Sequence, residues 1–271
     1  MNHLPTMRSK PICLRVKGPF ACFTRPEFHV ERVSYPVITP SAARGILEAI
    51  LMKPIEKPEA GKRHNKVGFR WGITRLGIIN KGTMFSILRN ELGYGAHQKP
   101  ENAKGYDVND CRAQRHSLIL KDVEYLIEAV IEVPLETRQR AGRQVRPSAE
   151  FLARNKYHHM FVRRAKVGQC FYQPFFGCRE FSVAEWELVE QPPEKIDVPW
   201  ANENFGMIFH DFDFKPMWKQ WQPKPEQAND RHPFVPRPAD GWDQPGQRPD
   251  PKHFLANAVN GWITVKEGGE A

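Results

Sequence analysis

The stretch from Lys121 to Val133, KDVEYLIEAVIEV, carries the clearest strand signal in the chain. Apolar and polar residues alternate along it with a period of two, which is typical of a strand that is half-buried against a core. The apolar residues of this alternation are Val123, Tyr125, Ile127, Ala129 and Ile131. The remaining elements can be assigned on either side of this predicted strand.

The sequence before this stretch predicts a strand, a helix and a pair of strands. Residues 11–17 (PICLRVK) alternate apolar and polar residues in the same way. A helix is expected to begin at Thr39 and Pro40, because a hydroxyl caps a helix well and proline fits its first turn. Residues 66–92 predict two strands joined by a turn near Gly82.

The sequence after this stretch predicts a second helix and a last strand. Residues 148–167 form the helix, with Ser148 as its cap, and residues 178–189 form the strand. The resulting order is β-α-β-β-(β)-α-β, the order of a ferredoxin-like split βαβ that RNA-recognition modules also use. We therefore expect an α+β fold whose ferredoxin-like, RRM-like core occupies residues 1–190.

Residues 191–271 differ in composition from the core and form a second predicted unit. Nine prolines lie between residues 216 and 251, so this part cannot be a long helix or a central strand. Short strands near residues 205–214 and 261–266 predict a small C-terminal antiparallel β domain that accompanies the Pro-rich segment.

The composition indicates a cytoplasmic protein rather than a secreted or membrane protein. Among 271 residues, 40% are hydrophobic, which is enough for a substantial core. The five cysteines are odd in number and lack a C-x-x-C motif, so the sequence predicts neither a disulfide framework nor a zinc ribbon. There is no signal-peptide pattern and no run near the roughly 20 apolar residues of a membrane span. We expect reduced thiols, no metal, no cofactor and no membrane partner.

Positive charge is concentrated in residues 138–166. This segment has nine Arg or Lys residues and one acid, Glu150, so it carries a net +8 of the chain's +9. A one-sided arginine cluster favours phosphate binding, because the guanidinium fork binds phosphate bidentately. The alternative is a basic solvated surface without a ligand. The candidate RNA-binding residues of this segment are Arg138, Arg140, Arg143, Arg146, Arg163 and Arg164.

Aromatic residues lie within and beside the same segment. Rings next to arginines suit single-stranded or looped RNA, whose bases can stack on them. The alternative is packing in the core, and we favour it for Phe161, Phe175 and Phe176. The other aromatic residues nearby are Tyr157, Phe171 and Tyr172.

The run Lys156-Tyr157-His158-His159 holds the densest set of proton-transfer groups in the chain. Histidine can exchange a proton near neutral pH, and a lysine can stabilise the negative charge that grows on a phosphate during attack. These groups would promote RNA cleavage by the RNA's own 2′-hydroxyl without a metal. The alternative is that the histidines are ordinary polar residues of a helix.

Five stretches of sequence carry a family resemblance. They are GPFACFTRPEFHVER from Gly18, SYPVITPSAARGILEAI from Ser34, RNE from Arg89, RHSLILKDVEYLIEA from Arg115, and KYHHMFVRRAKVGQCFYQPFFGCREF from Lys156. Together they resemble the CRISPR-associated Cas5 family, subtype d, of type I-C systems. The likeness covers most of residues 11–190.

This resemblance implies a protein of the RAMP superfamily with a ferredoxin-like core and a small C-terminal β domain. It implies a metal-independent endoribonuclease that cuts CRISPR repeat hairpins in precursor RNA and remains on the 5′ handle of the mature guide. The implied partners are the repeat RNA and the other subunits of the type I-C interference complex, and duplex DNA stays open as a further ligand. Arg115 and His116 join the RNA-binding candidates.

The resemblance also suggests catalytic residues. The family's catalytic lysine aligns with Lys156, a histidine that follows it in some members aligns with Tyr157, and His158 comes one position later. A tyrosine at the end of the first helix in some members aligns with Leu51, which has no proton to transfer. The catalytic candidates are therefore Lys156, Tyr157 and His158. The alternative is a non-catalytic subunit that binds the guide RNA.

Overall fold

The computed structural model of the chain describes residues 6–28, 30–53, 68–92, 112–134, 139–140, 143–144, 148–213 and 250–265, which are mostly antiparallel sheet with few helices. The strands are β1 (Thr6–Arg8), β2 (Ile12–Ala21), β3 (Arg32–Val33), β4 (Arg70–Asn80), β5 (Thr83–Leu92), β6 (Arg112–Pro134), β7 (Gln139–Arg140), β8 (Arg143–Gln144), β9 (Glu185–Leu188), β10 (Asn204–Asp213), β11 (Asp250–Val259) and β12 (Trp262–Thr264). The helices are α1 (Pro40–Ile50), α2 (Ala149–Phe151) and α3 (His158–Lys166), and a π-helical segment, Leu152–Tyr157, joins α2 directly to α3.

Strand β6 organises the sheet and contains the stretch from Lys121 to Val133, so this predicted strand is confirmed. It has 23 residues and pairs with β5 near its start and with β2 and β4 along the rest of its length. All five alternating apolar residues of the stretch are buried, as the period of two predicts. The central strands run in the order β4-β6-β2-β9, and each neighbouring pair is antiparallel.

The acidic residues on the other side of β6 are also removed from solvent. Glu132 is only 2% exposed, and its carboxylate accepts from Arg70 Nε at 2.5 Å and from Arg8 Nε at 3.0 Å. Glu128 is bound in the same way by Arg75, whose Nη2 donates at 2.5 Å. These charge-assisted bonds replace the water that a buried carboxylate loses.

Both predicted helix starts are confirmed. The Thr39 hydroxyl accepts from Ala42 N at 3.2 Å and caps α1, whose buried stripe lies against the sheet. The Ser148 hydroxyl accepts from Phe151 N at 3.2 Å and caps the helix that continues to Lys166. The turn between β4 and β5 is also confirmed, since Gly82 has a φ of +79° there.

The predicted last strand is wrong in its first half, since β9 covers only Glu185–Leu188 and not the segment from Cys178 onward. The chain turns before β9, with Phe176 N donating to Phe181 O at 2.8 Å. Gly177 has a φ of +80° and lies against the backbone of Cys22, where a side chain would clash. This close approach forces a turn at the start of the segment in which the sequence predicted a strand.

The C-terminal strands extend the main sheet. Strand β12 pairs with β4, with Trp262 opposite Gly77, and β11 and β10 follow toward the edge. The Pro-rich segment runs from residue 216 to 251. Its residues 216–249 lie outside the described residues, and its last two residues begin β11. The division of the chain at residue 190 stays a prediction. Within the described ranges, no helix combines the length and the apolar character that crossing a membrane requires.

Candidate functional site

The basic helix formed by α2, the π-helical segment and α3 packs one side into the core. Tyr157 and Phe161 are 5% and 0% exposed, and their rings lie 4.9 Å from Phe69 and 4.7 Å from Trp71 between centroids. With its apolar side held by these aromatic contacts, the helix presents its charged side outward. The exposed basic residues are Arg154, Lys156, Arg163 and Lys166.

Lys156 is exposed, and its ammonium lies over the ring of the buried Tyr157. Its Nζ lies 5.7 Å from the centroid of the Tyr157 ring, within the range of a cation–π contact. Tyr157 itself is part of the core. The predicted catalytic lysine is therefore at the surface, whereas the tyrosine next to it is not.

His158 lies in a basic depression of about 470 Å³ along one side of the same helical segment. Burial, the neighbouring His159 and the Lys10 ammonium lower the pKa of His158 from its ordinary 6.5. An imidazole in this state is neutral at physiological pH and can accept a proton. The depression is lined by Lys10, Ser148, Glu150, Phe151, Arg154, Asn155, His158 and His159.

Lys156 and His158 do not share this depression, because the side chain of Lys156 is not part of its lining. Residues two apart on a helix point to different sides. A substrate that contacts both must therefore cross the surface of the helix, as an extended phosphate backbone can.

The end of α1 is held by Arg164, one of the predicted RNA-binding residues. Its Nη1 donates to Ile50 O at 2.9 Å, and its side chain is half-buried. Arg163 beside it is exposed, and its side-chain hydrogen bond within the described residues is a long one of 3.5 Å to Gln169. Leu51 directly follows Ile50 and is fully buried. The position that aligns with the family tyrosine therefore faces the core.

The other predicted RNA-binding arginines lie partly outside the described residues. Arg138 and Arg146 fall outside them entirely. Arg140 and Arg143 oppose each other in the two-residue strands β7 and β8, and their side chains lie outside the described part.

Arg115 and His116 lie on β6, opposite Arg89 and Leu88 of β5. Arg115 Nη1 donates to Val30 O at 3.2 Å, and His116 is exposed. These two candidates therefore belong to the β5–β6 part of the sheet and not to the basic helix.

Lys10 and His159 were not among the predicted site residues. Lys10 follows β1, and the connection to β2 places it at the depression beside His158. A single lysine between two strands gives no sequence signal of a functional role. His159 could have been predicted, because it directly follows His158 in the sequence. In the described ranges no group of three or more His, Cys, Asp or Glu residues is arranged to hold a metal ion.

An antiparallel sheet that supports an arginine-rich helix defines an α+β protein with a surface suited to a polyanion. The family model described as CRISPR-associated protein (Cas_Cas5), subtype Cas5d, matches residues 12–246. The chain belongs to this Cas5d family, as its sequence motifs predicted.

Two curated relatives support this assignment. The CRISPR pre-crRNA endoribonuclease Cas5d of Thermus thermophilus is 45% identical over 201 residues, which cover 74% of this chain and 72% of the relative. The protein with the same name from Mannheimia succiniciproducens is 38% identical over 217 residues, 75% of this chain and 85% of the relative. A solved structure described as a CRISPR-associated protein has a TM-score of 0.54 at 21% identity, covers 100% of this chain and 97% of its own, and shares the fold.

Proposed function

We propose that this chain is a metal-independent endoribonuclease that cleaves CRISPR repeat hairpins in precursor crRNA and then stays on the 5′ handle of the product. Two relatives at 38% and 45% identity are named pre-crRNA endoribonucleases, which supports this activity. One observation carries the assignment of residues: an exposed lysine and a histidine of lowered pKa lie two residues apart on one basic helix.

In the proposed reaction the RNA attacks itself. His158 accepts the proton of the 2′-hydroxyl, and the resulting oxygen bonds to the adjacent phosphorus. The bond between the phosphorus and the 5′-oxygen of the next nucleotide breaks. This oxygen leaves with the downstream fragment and takes up a proton from water, and the upstream fragment ends in a 2′,3′-cyclic phosphate. Lys156 stabilises the extra negative charge on the phosphate oxygens in the transition state. Because Lys156 and His158 point to different sides of the helix, the exposed side chain of Lys156 must turn toward His158 to reach the same phosphate. Tyr157 contributes from the core, where its ring lies 5.7 Å from the Lys156 ammonium before RNA binds.

The RNA would reach both groups along the charged side of the helix. Arg163 is free of carboxylate partners within the described residues and would bind phosphate, together with the arginines of the β7–β8 segment. We further propose the ferredoxin-like core, because β4-β6-β2-β9 is the order of the second, third, first and fourth strands of such a fold. The proposed setting is the cytoplasm, with the other type I-C complex subunits as partners and duplex DNA as a further ligand.

Cleavage of a repeat hairpin on a denaturing gel tests the function. We expect cleavage in EDTA, a 2′,3′-cyclic phosphate on the product, and no cleavage of a substrate with one 2′-deoxy nucleotide at the cut site. A substrate with 2′-deoxy at a neighbouring position serves as the control and should be cut. Cleavage that stops in EDTA and returns with magnesium would contradict the mechanism.

The second candidate function is a subunit that binds the crRNA handle without cutting it. The burial of two residues favours this candidate. Leu51 and Tyr157 align with proton-transfer residues of some family members, but both lie in the core of this chain. A native gel run beside the denaturing gel separates the two functions. Binding of the repeat hairpin without any product supports the second candidate.

A further inference from the structure

Two aromatic rings stand at the surface directly after the basic helix. Phe171 is 79% exposed and Tyr172 is 42% exposed, and their rings meet edge to face at 6.0 Å. Phe171 is the most exposed large apolar side chain in the described residues. We call Phe171 and Tyr172 the aromatic shelf. An exposed aromatic pair forgoes the stabilisation that burial of two large rings would bring, so it is a candidate binding surface.

The backbone holds the aromatic shelf in a fixed place. Helix α3 ends in a turn in which Gln169 N donates to Arg164 O at 2.9 Å and Gly168 adopts a φ of +69°. Two residues later Phe171 N donates to Ala49 O at 2.7 Å, near the end of α1. The shelf is therefore tied to two helices, and a ligand that stacks on it pays little to order it.

Charged residues of both signs lie near the shelf, and the arginines among them can bind the phosphates of an RNA ligand. Arg163 and Arg179 are exposed on its two sides in sequence. Burial and the Glu48 carboxylate raise the pKa of the Tyr172 hydroxyl, and Arg179 opposes this effect. Tyr172 is therefore an uncharged ring at neutral pH. Glu48 is half-buried and lies 3.5 Å from Arg44, a guanidinium that Asp211 also binds.

We propose that the aromatic shelf stacks unpaired bases of the RNA that the basic helix binds. Aromatic rings stack any base, and neighbouring arginines bind the phosphates between the bases. A duplex offers no free base face, so the shelf recognises single-stranded RNA beside a hairpin stem. This inference rests on the proposed function for the identity of the ligand, and it adds a site that selects single-stranded segments.

Binding of two RNAs tests the shelf. The probes are an unstructured single-stranded RNA and a blunt RNA duplex, each titrated at one fixed salt concentration. We expect Phe171→Ala and Phe171→Leu to weaken single-strand binding by about tenfold and to leave duplex binding unchanged, since leucine keeps apolar area but not the ring. Tyr172→Phe keeps the ring and should bind as the unchanged protein does. Val167→Ala is the control, because Val167 is 68% exposed in the same segment but is not aromatic.

Several outcomes would overturn the shelf. They are a single-strand affinity of both Phe171 variants equal to that of the unchanged protein, an equal loss of affinity for the duplex, full single-strand binding by Phe171→Leu, or no single-strand binding by the unchanged protein. A change of oligomeric state in Phe171→Ala, seen by size-exclusion chromatography, would assign the shelf to a protein contact instead. Failure of the proposed function gives a different result: repeat hairpins stay uncut while the single-strand defect of Phe171→Ala remains.

Discussion

The guanidinium of Arg164 donates a 2.9 Å hydrogen bond to the carbonyl oxygen of Ile50, the last residue of α1. The final carbonyls of a helix lack partners within it, and a cation there is favoured by the helix dipole. Arg164 thus joins the basic helix to α1 from within the arginine-rich segment. The segment therefore contains arginines with different roles, which substitutions can separate.

Replacing Arg164 by Ala should lower the free energy of unfolding by about 1–3 kcal/mol, because the Ile50 carbonyl loses a charged donor in a half-buried place. Urea denaturation followed by circular dichroism measures this change. Arg163→Ala is the matched control, since Arg163 is exposed and should alter stability little. Equal stability of the two variants would show that the bond to Ile50 contributes nothing.

Replacing Lys156 by Ala should reduce the rate of repeat cleavage by about 100-fold or more, because its charge acts on the transition state. The affinity for repeat RNA should change far less. Single-turnover kinetics and a native gel measure the two quantities, with Lys166→Ala, another exposed lysine of the basic helix, as a control. If the affinity falls as much as the rate, Lys156 contacts a phosphate without acting on the transition state. If Lys156→Ala cleaves at the normal rate, the active site lies elsewhere, and His116 is the next candidate.

The pH dependence of cleavage should report the environment of His158. Its pKa is lowered by burial, by His159 and by Lys10, while Glu150 and Arg154 at the same depression pair with each other at 2.8 Å. His158 can act as a general base only when its imidazole is neutral. The rate should therefore rise with pH and level off once the pH exceeds the pKa of His158, which lies below 6.5.

Replacing Lys10 by Met sharpens this test of His158. Loss of a positive charge stabilises the protonated imidazole, so the pKa rises and the rising part of the rate profile moves to higher pH. Lys17→Met removes an exposed charge on β2, away from the depression, and should leave the profile in place. A profile that Lys10→Met does not move would show that the Lys10 ammonium does not act on the group whose titration controls the rate.

Local patterns predicted those parts of the fold that depend on neighbouring residues. The alternation within β6 gave its buried face, and the hydroxyls of Thr39 and Ser148 gave both helix starts. The turn at Gly177 could not be predicted, because it depends on the backbone of Cys22, which is distant in sequence.

The same limit applies to charges and to the candidate site. Glu132 alternates as a solvent-facing residue should, and its burial follows from Arg8 and Arg70, which come from two other strands. Lys10 reaches His158 in a similar way, through the fold. The run from Lys156 to His158 indicated the right helix, but the sequence alone did not show that its members face different sides.

Four arginines precede the basic helix in the sequence. Arg138, Arg140, Arg143 and Arg146 are expected to bind phosphates, so their joint replacement by Ala should reduce the salt dependence of RNA binding. Each phosphate contact on a single strand adds about 0.7 to the slope of log affinity against log salt, and the slope should flatten by about that amount per lost contact.

Joint replacement of the same four residues by Lys is the matched control for this measurement. Lysine keeps the charge that releases counterions, so the slope should stay near that of the unchanged protein even if affinity falls with the loss of bidentate geometry. Fluorescence anisotropy over a range of salt concentrations gives both slopes. An Ala variant with an unchanged slope would exclude these four arginines from the interface and leave the exposed side of α3 as the phosphate-binding surface.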